Sequence, residues 1–482
     1  MTHHDVLIIG AGISGICAAW HVQDGLPDLS YAVLEGREDL GGTWDLFRYP
    51  GIRSDSDLFT FGYSFRPWDG STAIAEGAEI KSYIRRTAEE SKITDHILFG
   101  HRATRAAWDS DRALWTLSVT TPDGPKEMSC RFLVMCTGYY DYAAGHAPHW
   151  PGMDEFAGTI LHPQFWPDGL DVDGKRIAVI GSGATAVTMV PALADLGAQV
   201  TMVQRSPSDI APLPSHDRFA GIARKLAGQR TGARIARWKH ILESILQFQI
   251  ARRFPGFFRK TLHKEAAKIT GDDFDAATHL TPRYAPWDQR VCVDTDGVLF
   301  TALKEGRAQI RTGAIARFTQ TGIEMEDGTA VPADIIVTAT GLKMQAMGGM
   351  EAVVDGTPIN PHDLVMYKGM MLSGIPNLAY TIGYTNNSWT LRCELIARHI
   401  VRILREMDDR GADWVRVDPP EDLRRGALLN LDSGYITRGA ADVPQGGDRA
   451  PWKVRQNYVL DLWDVDRAPV VDEAMSFGRA RV

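Results

Sequence analysis

Two glycine-rich turns, each between an apolar run and a helix-compatible segment, constrain this chain most. The first follows "DVLII" and sets Gly10, Gly12 and Gly15 in the pattern GxGxxG. The second follows "KRIAVI" and repeats the spacing with Gly181, Gly183 and Ala186. Such glycines let the backbone turn sharply after a strand and bring its amides close to a phosphate at a helix N-terminus. The repeat predicts two dinucleotide-binding modules, and a tight strand-to-helix turn is the alternative for each.

The two copies differ at the end of the next strand, where a nucleotide's ribose is recognised. In the first copy "YAVLE" ends in Glu35, and an acid at this point accepts a ribose hydroxyl. In the second copy "QVTMVQRSPS" has Arg205 and Ser206 there. A guanidinium forks onto a 2′-phosphate, which a carboxylate would repel. The second site is therefore predicted to bind NADP, with an ordinary surface arginine as the alternative.

Each module also closes on a strand that ends in a Thr-Gly turn, at residues 136–138 ("CTG") and 339–341 ("ATG"). One module for FAD and one for NADPH would make a flavoprotein in which hydride passes from nicotinamide to flavin. The predicted fold class is α/β, with two Rossmann-like dinucleotide-binding domains and a helical insertion.

Composition narrows the class further. The chain has 482 residues, which suggests two or three domains, and its 44% hydrophobic and 23% charged residues are typical of a soluble globular protein. A net charge of −8 argues against a nucleic-acid partner. No apolar run is long enough for a membrane span, and the run at residues 6–9 is too short for a signal peptide. We expect a cytoplasmic protein.

The cysteines and histidines exclude two other kinds of site. The five cysteines are scattered and form no CxxC pair, which fits a reducing compartment and counts against a flavin disulfide reductase. The N-terminal "THHD" has no third ligand at a sensible spacing, so no metal site is predicted.

Several longer motifs carry a family resemblance. The segment "GGTWDLFRYPGIRSDSD" resembles the second signature of type I Baeyer–Villiger monooxygenases, and "FAGTILHPQFWP" resembles their linker fingerprint FxGxxxHxxxWP. The fingerprint residues are Phe156, Gly158, His162 and Trp166, and related amine- and sulfide-oxidising monooxygenases usually carry Tyr or Phe in place of Trp166. With "PWDQRVCV", "MYKGMMLSGIPNLAYTIGYTN" and "SWTL", the chain is most similar to the EthA-type members.

The resemblance implies two sets of cofactor-binding residues. For FAD these are Gly10, Gly12, Ser14, Gly15, Glu35, Thr43, Trp44, Asp45, Leu46, Asp55 and Ala103. For NADP they are Arg53, Ser54, Gly181, Ser182, Gly183, Ala184, Thr185, Ala186, Val187, Arg205 and Ser206.

The catalytic residues implied by the resemblance are Arg290, in "PWDQRVCVD", and Asp55, its acidic partner beside the flavin. Attack on a ketone requires an anionic oxygen nucleophile, and a fixed positive charge favours that anion and the tetrahedral oxyanion that follows. A surface ion pair is the alternative for Arg290, and a turn or N-cap position is the alternative for Asp55. Several family members have Lys before the arginine; Gln289 stands there, so NADP recognition would fall more on Arg205 and Ser206.

The resemblance implies that the linker couples NADP position to the active site rather than performing chemistry. Small Gly158 would permit a bend, while Phe156 and Trp166 would pack as anchors at its two ends. For His162 a conformational role stands beside a satisfied structural histidine that hydrogen-bonds to backbone.

We expect the domains to follow the motifs along the chain. The predicted segments are a first FAD-binding part at 1–150, the linker at 151–170, an NADP-binding domain at 171–215 and 286–345, a helical insertion at 216–285, and a C-terminal part completing the FAD domain at 346–482. From residue 218 to 268 the insertion has 13 Lys and Arg against two Glu. A solvated helical cap over the active site is the favoured interpretation, and peripheral membrane contact is the second.

The predicted function is an FAD-containing, NADPH-dependent monooxygenase that uses O2 to convert ketones to esters or lactones and sulfides to sulfoxides. One alternative is a nitrogen- or sulfur-oxidising monooxygenase without ketone activity, which needs no arginine. Another is an NADPH–flavin reductase that does not oxygenate. The physiological substrate and the oligomeric state are not indicated.

Overall fold

The computed structural model describes residues 2–429 and 432–481. Residues 1, 430, 431 and 482, which fall in the first and last predicted segments, lie outside the described residues. The helices of the described part are α1 (Ile13–Gly25), α2 (Thr43–Leu46), α3 (Leu58–Phe61), α4 (Gly77–Glu90), α5 (Ala184–Asp195), α6 (Arg218–Ala227), α7 (Gln229–Arg253), α8 (Pro255–Thr270), α9 (Ala276–His279), α10 (Val298–Lys304), α11 (Trp389–Arg410), α12 (Gly434–Gly439) and α13 (Tyr458–Asp461).

The strands of the first half of the chain are β1 (Thr2–Ile9), β2 (Tyr31–Glu35), β3 (Ile97–Phe99), β4 (Arg102–Asp109), β5 (Leu114–Thr121), β6 (Gly124–Met135), β7 (Tyr140–Gly145), β8 (Thr159–Leu161), β9 (Arg176–Ile180), β10 (Gln199–Gln204) and β11 (Ile210–Leu213). Those of the second half are β12 (Cys292–Thr295), β13 (Ala308–Thr312), β14 (Ile315–Thr319), β15 (Gly322–Met325), β16 (Ala330–Pro332), β17 (Ile335–Thr338), β18 (Leu342–Met344), β19 (Glu351–Val354), β20 (Thr357–Pro358), β21 (Met366–Tyr367), β22 (Met371–Leu372), β23 (Leu378–Tyr380), β24 (Trp414–Val417), β25 (Arg425–Gly426), β26 (Gly446–Gly447) and β27 (Met475–Gly478).

The first sheet contains the first glycine loop. Its strands β6, β1, β2 and β3 are parallel neighbours, and β4, β5 and β6 form an antiparallel meander beside them. Strand β23, from the C-terminal part, pairs in parallel with β6, and α11 packs against α1. The C-terminal part therefore completes the core of the first nucleotide module, as expected of a sheet covered on both faces. The exact domain boundaries stay a prediction.

The second sheet is fully parallel and has the order β13–β10–β9–β17–β8. Strand β9 leads into the second glycine loop and α5, and the side chains of residues 177–180 are buried. Ala178 and Val179 are fully buried, because helices and strands cover both faces of this sheet.

The linker contains a short strand. Its sequence has no helical or strand periodicity, yet residues 159–161 form β8, which pairs in parallel with β17 at the edge of the second sheet. A three-residue strand is too short to show alternation, so only its pairing partner defines it. Residues 159–161 of the linker thus belong to the second sheet.

Helices α6, α7 and α8 form the insertion, within the segment where helices were expected. A Cβ on Gly232 would lie 2.4 Å from the backbone nitrogen of Arg224, so the glycine allows α6 and α7 to approach closely.

A buried ion pair attaches this insertion to the first module. Arg237 of α7 donates to Oε2 of Glu394 on α11 at 2.7 Å, and it also donates to the backbone carbonyls of Phe59, Thr60 and Gly62 in and after α3. The Glu394 side chain is 1% exposed, and its other oxygen accepts from the Ser64 amide. Every partner of the guanidinium thus belongs to the first module.

Replacing Arg237 by Ala should lower the free energy of unfolding by about 3–5 kcal/mol, because it leaves the Glu394 carboxylate buried and unpaired. Arg234→Ala, on the exposed side of the same helix, should change it by less than about 0.5 kcal/mol. Denaturant unfolding of the two variants checks this. Equal effects would contradict an anchoring role.

Candidate active site

One cavity of about 560 Å³ lies between the two modules. Its walls come from the first glycine loop, from the segment 41–56, from the start of α5 and from Arg290. It is therefore large enough for a cofactor-sized ligand and is bounded by residues from both nucleotide folds.

The first glycine loop has the geometry of a phosphate cradle. Gly10 has φ +104°, and a Cβ on it would lie 2.7 Å from the carbonyl oxygen of Cys136. A Cβ on Gly15 would lie 1.8 Å from the carbonyl oxygen of Gly10. Helix α1 can begin this close to the strand only because both positions lack a side chain, and its first amides then face the cavity.

Glu35 lies at the end of β2 beside this loop. Its Oε2 accepts from the Ala11 amide at 2.8 Å, and its Oε1 accepts from the Arg37 amide at 2.9 Å. Burial raises the pKa of Glu35, while these backbone hydrogen bonds oppose that rise. The carboxylate is held at the cavity wall with lone pairs still available, which fits recognition of a ribose hydroxyl.

The "GGTWDL" segment contributes some of its residues to the cavity and not others. Thr43 and Trp44 line it, but Asp45 and Leu46 do not. Asp45 is paired with Lys81 and Arg37, both at 2.6 Å. Burial disfavours its charge, but the hydrogen bonds from Lys81 and Arg37 outweigh this and lower the pKa of Asp45. Asp45 thus holds Arg37, a cavity-lining cation that sequence reasoning missed.

Ser14 is held from the C-terminal part of the chain. The indole Nε1 of Trp389 donates to its Oγ at 2.8 Å, and the Sγ of Cys393 lies 3.2 Å from the same atom. Trp389 lines the cavity and begins α11, in the "SWTL" motif. The "SWTL" motif carries the family resemblance, but nothing in its sequence pattern indicates a contact with Ser14.

The segment after α2 touches the second module directly. Gly51 has φ +81°, and a Cβ on it would lie 2.3 Å from the carbonyl oxygen of Thr188 on α5. Burial raises the pKa of Tyr49 to about 12, and the neighbouring side chains of Thr185 and Thr188 on α5 oppose that rise. The "YPG" motif is therefore a contact between the two nucleotide modules.

The second glycine loop resembles the first in geometry but leaves more space around its middle glycine. Gly181 has φ +148°, and a Cβ on it would meet the carbonyl oxygen of Ala339 at 2.3 Å, whereas a Cβ on Gly183 would meet nothing within 4 Å. The Ser182 hydroxyl donates to the carbonyl of Ser206 at 2.8 Å. Ala184 and Thr185 line the cavity, while Gly181, Ser182, Gly183, Ala186, Val187, Arg205 and Ser206 lie outside it.

Arg205 has a neighbour that the sequence did not indicate. Burial lowers the pKa of Arg438 on α12, and the positive charge of Arg205 lowers it further. Both side chains are exposed. Two exposed guanidinium groups whose positive charges act on each other are suited to a doubly charged anion.

Asp55, Arg53 and Arg290 meet on the cavity wall. Burial raises the pKa of Asp55, and the positive charges of Arg290 and Arg53 oppose that rise. Oδ1 of Asp55 is buried and accepts no hydrogen bond from any residue that the structure describes. Ser54 and Ala103 line the same cavity. The predicted pair of Arg290 and Asp55 is therefore brought together, although the two residues are 235 positions apart.

The four fingerprint residues lie outside this cavity. Phe156 packs on Phe318, and a Cβ on Gly158 would lie 2.3 Å from the carbonyl oxygen of Asp334. Trp166 packs on the core of the second module.

His162 has both ring nitrogens hydrogen-bonded to backbone. Its Nδ1 accepts from the Gln164 amide at 3.2 Å, which leaves Nε2 as the donor to the Gly341 carbonyl, also at 3.2 Å. Burial lowers the pKa of His162. A neutral, fully bonded imidazole outside the cavity fits a structural or conformational position and not acid–base catalysis.

Two features are absent from residues 2–429 and 432–481. No group of three His, Cys, Asp or Glu side chains there is arranged to hold a metal ion. No helix there combines the length and apolar character needed to cross a membrane. All five cysteines are reduced and buried.

Together the two cradles, the acid in one, the arginine in the other and the shared cavity define a flavin- and pyridine-nucleotide-dependent oxidoreductase. A profile of the family described as "Pyridine nucleotide-disulphide oxidoreductase" matches residues 4–225. FAD-containing monooxygenase EthA of Mycobacterium tuberculosis is 45% identical over 482 residues, covering 99% of each chain. Probable FAD-binding monooxygenase AlmA of an Acinetobacter species is 43% identical, covering 98% of this chain and 96% of that protein.

Solved structures show the same fold. Oxidised steroid monooxygenase bound to NADP has a TM-score of 0.75 at 22% identity and covers 99% of this chain and 100% of that one. Cyclohexanone monooxygenase bound to ε-caprolactone has a TM-score of 0.76 at 20% identity, with the same coverage.

The chain belongs to the EthA-type FAD-containing monooxygenases. The predicted family resemblance, the α/β fold class with two dinucleotide-binding domains, and the use of FAD and NADPH are confirmed. The predicted enzyme class, a flavoprotein monooxygenase, is confirmed as well, and such an enzyme uses O2 and a small organic substrate.

The close approach of Gly15 to Gly10 gives a test of the first cradle. Gly15→Ala should yield protein that has lost most of its flavin absorbance, because the added methyl overlaps the Gly10 carbonyl. Gly183→Ala, whose added methyl meets no protein atom, should keep its flavin. Flavin absorbance per protein measures both, and a yellow Gly15→Ala variant would contradict the geometry.

Proposed function

We propose that this enzyme is a Baeyer–Villiger monooxygenase, which inserts one oxygen atom of O2 beside the carbonyl of a ketone. In the overall reaction a ketone, O2, NADPH and a proton give an ester or lactone, NADP⁺ and water. The bound FAD supplies the electron transfer from NADPH and the activation of O2. Thioether and thioamide sulfur is a second kind of acceptor for the same oxygen atom.

The observation that supports this proposal is the position of Arg290 on the cavity wall beside Asp55. Attack on a ketone carbonyl places negative charge on oxygen, first on the nucleophile and then on the tetrahedral centre. An arginine stays protonated in proteins, so Arg290 supplies a fixed positive charge for both stages. Oxidation of an amine or a sulfide, in which oxygen acts as the electrophile, makes no such demand.

Asp55 is proposed to position Arg290. Its charge attracts the guanidinium, and its partly desolvated site makes that attraction stronger than in water. The unsatisfied Oδ1 leaves a lone pair for a further donor when the cavity is filled. In this arrangement Asp55 holds the guanidinium in place and does not transfer a proton.

Replacing Arg290 by Ala should separate the two oxidation modes. Ketone-to-ester conversion should fall about 100- to 1000-fold, since one preorganised oxyanion partner is lost. Flavin content should be unchanged, sulfoxidation should fall much less, and NADPH oxidation should continue with release of hydrogen peroxide. Mass spectrometry for a gain of one oxygen, with peroxide measured per NADPH consumed, checks these outcomes.

Two variants control this experiment. Arg283→Ala removes an exposed arginine from the same segment and should leave all activities unchanged. Asp55→Asn keeps the shape but not the charge and should lower ester formation less than Arg290→Ala does. Ester formation at a near wild-type rate in Arg290→Ala would refute the Baeyer–Villiger assignment to this residue. A wild-type enzyme that oxidises sulfides but no ketone would favour the nitrogen- or sulfur-oxidising alternative.

The NADPH 2′-phosphate is proposed to bind between Arg205 and Arg438. The mutual repulsion of the two guanidinium groups would be relieved by a phosphate dianion, which each can contact with paired N–H donors. Gln289 offers no charge for this purpose, so the second arginine compensates for the lysine found in several family members.

Arg438→Ala should raise the KM for NADPH by roughly 10- to 100-fold, as expected when one charge-assisted contact is lost. Arg205→Ala should act similarly, and neither should change the use of NADH, which has no 2′-phosphate. Arg317→Ala, an exposed arginine on β14 paired with Glu324, is the control. Initial rates measured over a range of NADPH and NADH concentrations test this prediction. An Arg438→Ala variant with an unchanged KM for NADPH would leave recognition to Arg205 alone.

The linker is proposed to couple the second module to the cavity. His162 holds the carbonyl of Gly341, and the next residue, Leu342, lines the cavity. A shift of β8 with the second sheet would therefore move a cavity wall. The same contact explains why Gly145 is small, because a Cβ there would lie 2.1 Å from the His162 ring.

A further inference from the structure

The exposed large apolar side chains of this protein are concentrated on one region. Most of those in the described part of the chain belong to the insertion helices or to the segment 459–463. They are Phe219, Ile222, Leu226, Ile235, Trp238, Leu242, Leu246, Phe254, Phe257, Val459, Leu460 and Trp463. Leu226 is 81% exposed and Trp463 is 69% exposed. A concentration of this kind marks an interaction surface, since isolated exposed apolar residues are scattered on ordinary surfaces.

These residues form stripes along the helices. On α6 the positions 219, 222 and 226 repeat at three and four residues, and on α7 the positions 235, 238, 242 and 246 do the same. Residues at these spacings share one helix face. The opposite face of α7 contains buried Ala233, Ala236 and Arg237, so the helix is attached by one side and apolar on the other.

The second part of the surface comes from the far end of the chain. The ring of Trp238 packs on that of Tyr458 at 5.9 Å between centroids. Tyr458 begins α13, and Val459, Leu460 and Trp463 follow it. The apolar stripe of α7 therefore continues onto this segment. We call the whole set, residues 219–257 and 459–463, the apolar surface.

Positive charge surrounds the apolar surface. Residues 218–268 have a surplus of eleven positive charges, which leaves −19 for the rest of a chain whose net charge is −8. The basic side chains on the inner side of the insertion form ion pairs within the protein. Arg237 pairs with Glu394, Arg259 with Asp209, and Lys239 with Asp217. Seven exposed basic residues of the insertion form no ion pair with any described residue. They are Arg218, Lys225, Arg230, Arg234, Arg253, Lys260 and Lys264.

We infer that the apolar surface binds the surface of a bilayer that contains anionic lipids. Trp, Phe and Leu side chains enter the boundary between headgroups and acyl chains, and flanking Lys and Arg bind the lipid phosphates. The apolar stripes on α6 and α7 supply side chains that can enter this boundary. The unpaired basic residues supply the charges that can bind the lipid phosphates.

Charge also argues against a second copy of this chain as the occupant. In a twofold-symmetric dimer the same surface meets itself. Such a contact would place two strongly positive surfaces against each other, because residues 219–257 contain eight Lys and Arg and Glu243 as their one acid. A lipid surface supplies the opposite charge, so it complements both the apolar and the basic residues.

The experiment is flotation of the FAD-loaded enzyme with vesicles. The protein should float with vesicles of phosphatidylcholine and phosphatidylglycerol at least about tenfold more strongly than with phosphatidylcholine alone. Added salt should weaken the binding, because it screens the charges. Absence of binding to the anionic vesicles would refute the proposal.

A matched pair of variants tests the surface itself. Leu242→Glu and Leu196→Glu replace leucines that are 56% and 53% exposed, and only Leu242 lies on the apolar surface. Leu242→Glu should weaken vesicle binding about tenfold or more, because it removes one inserted leucine and adds a negative charge. Leu196→Glu should bind as the wild type does. Equal binding by both variants would overturn the assignment of this surface.

Lipid with brominated acyl chains gives an independent reading. Fluorescence of the wild type should be quenched on binding, and the double variant Trp238→Phe/Trp463→Phe should bind but lose most of that quenching. Analytical sedimentation without lipid tests whether a second copy of the chain covers the apolar surface instead. A wild type that is a dimer, with Leu242→Glu a monomer, would show that a second copy covers the surface and would refute the lipid proposal.

Discussion

The close approach of a helix to the end of a parallel strand is the constraint on which this structure depends. It occurs at Gly10 and Gly15 in the first module and at Gly181 in the second, where an added side chain would overlap a backbone carbonyl. Because each approach lies at the carboxyl end of its sheet, both sets of helix amides face the region between the modules. The shared cavity is a consequence of this arrangement.

Several contacts hold the two modules in register around that cavity. The "YPG" turn packs Gly51 against α5, and Tyr49 lies beside Thr185 of the same helix. Within the second module His162 connects β8 to the carbonyl of Gly341, next to the cavity-lining Leu342. Arg237 attaches the insertion to the first module through Glu394. These contacts are polar or involve close backbone approach, so small displacements would be transmitted to the cavity walls rather than absorbed by loose packing.

The charges of the protein divide into three groups with different tasks. Arg37 is fixed by Asp45 beside the first cradle, and Arg290 lies with Asp55 at the cavity wall. Arg205 and Arg438 stand together outside the cavity beside the second module. Seven exposed lysines and arginines of the insertion lie among apolar side chains and form no ion pair with a described residue. The first group thus has aspartates as its counter-charges, while the other two groups are proposed to bind external anions.

The sequence by itself determined the two cradles and the α/β class, because local spacing and turn chemistry fix what a strand–loop–helix unit can be. The same pattern predicted Glu35 as the acid of the first cradle, whereas Asp55 and Arg290 were implied by the family resemblance. It also indicated a helical insertion. Only the tertiary structure decided that the fingerprint segment forms an edge strand, that Asp45 serves Arg37, and that Arg438 joins Arg205. The reason is physical: β8 pairs with β17 and Arg438 comes near Arg205 across long stretches of chain, while Asp45, only eight positions from Arg37, reaches it through the fold of the turn between them, and residue spacing specifies none of these contacts.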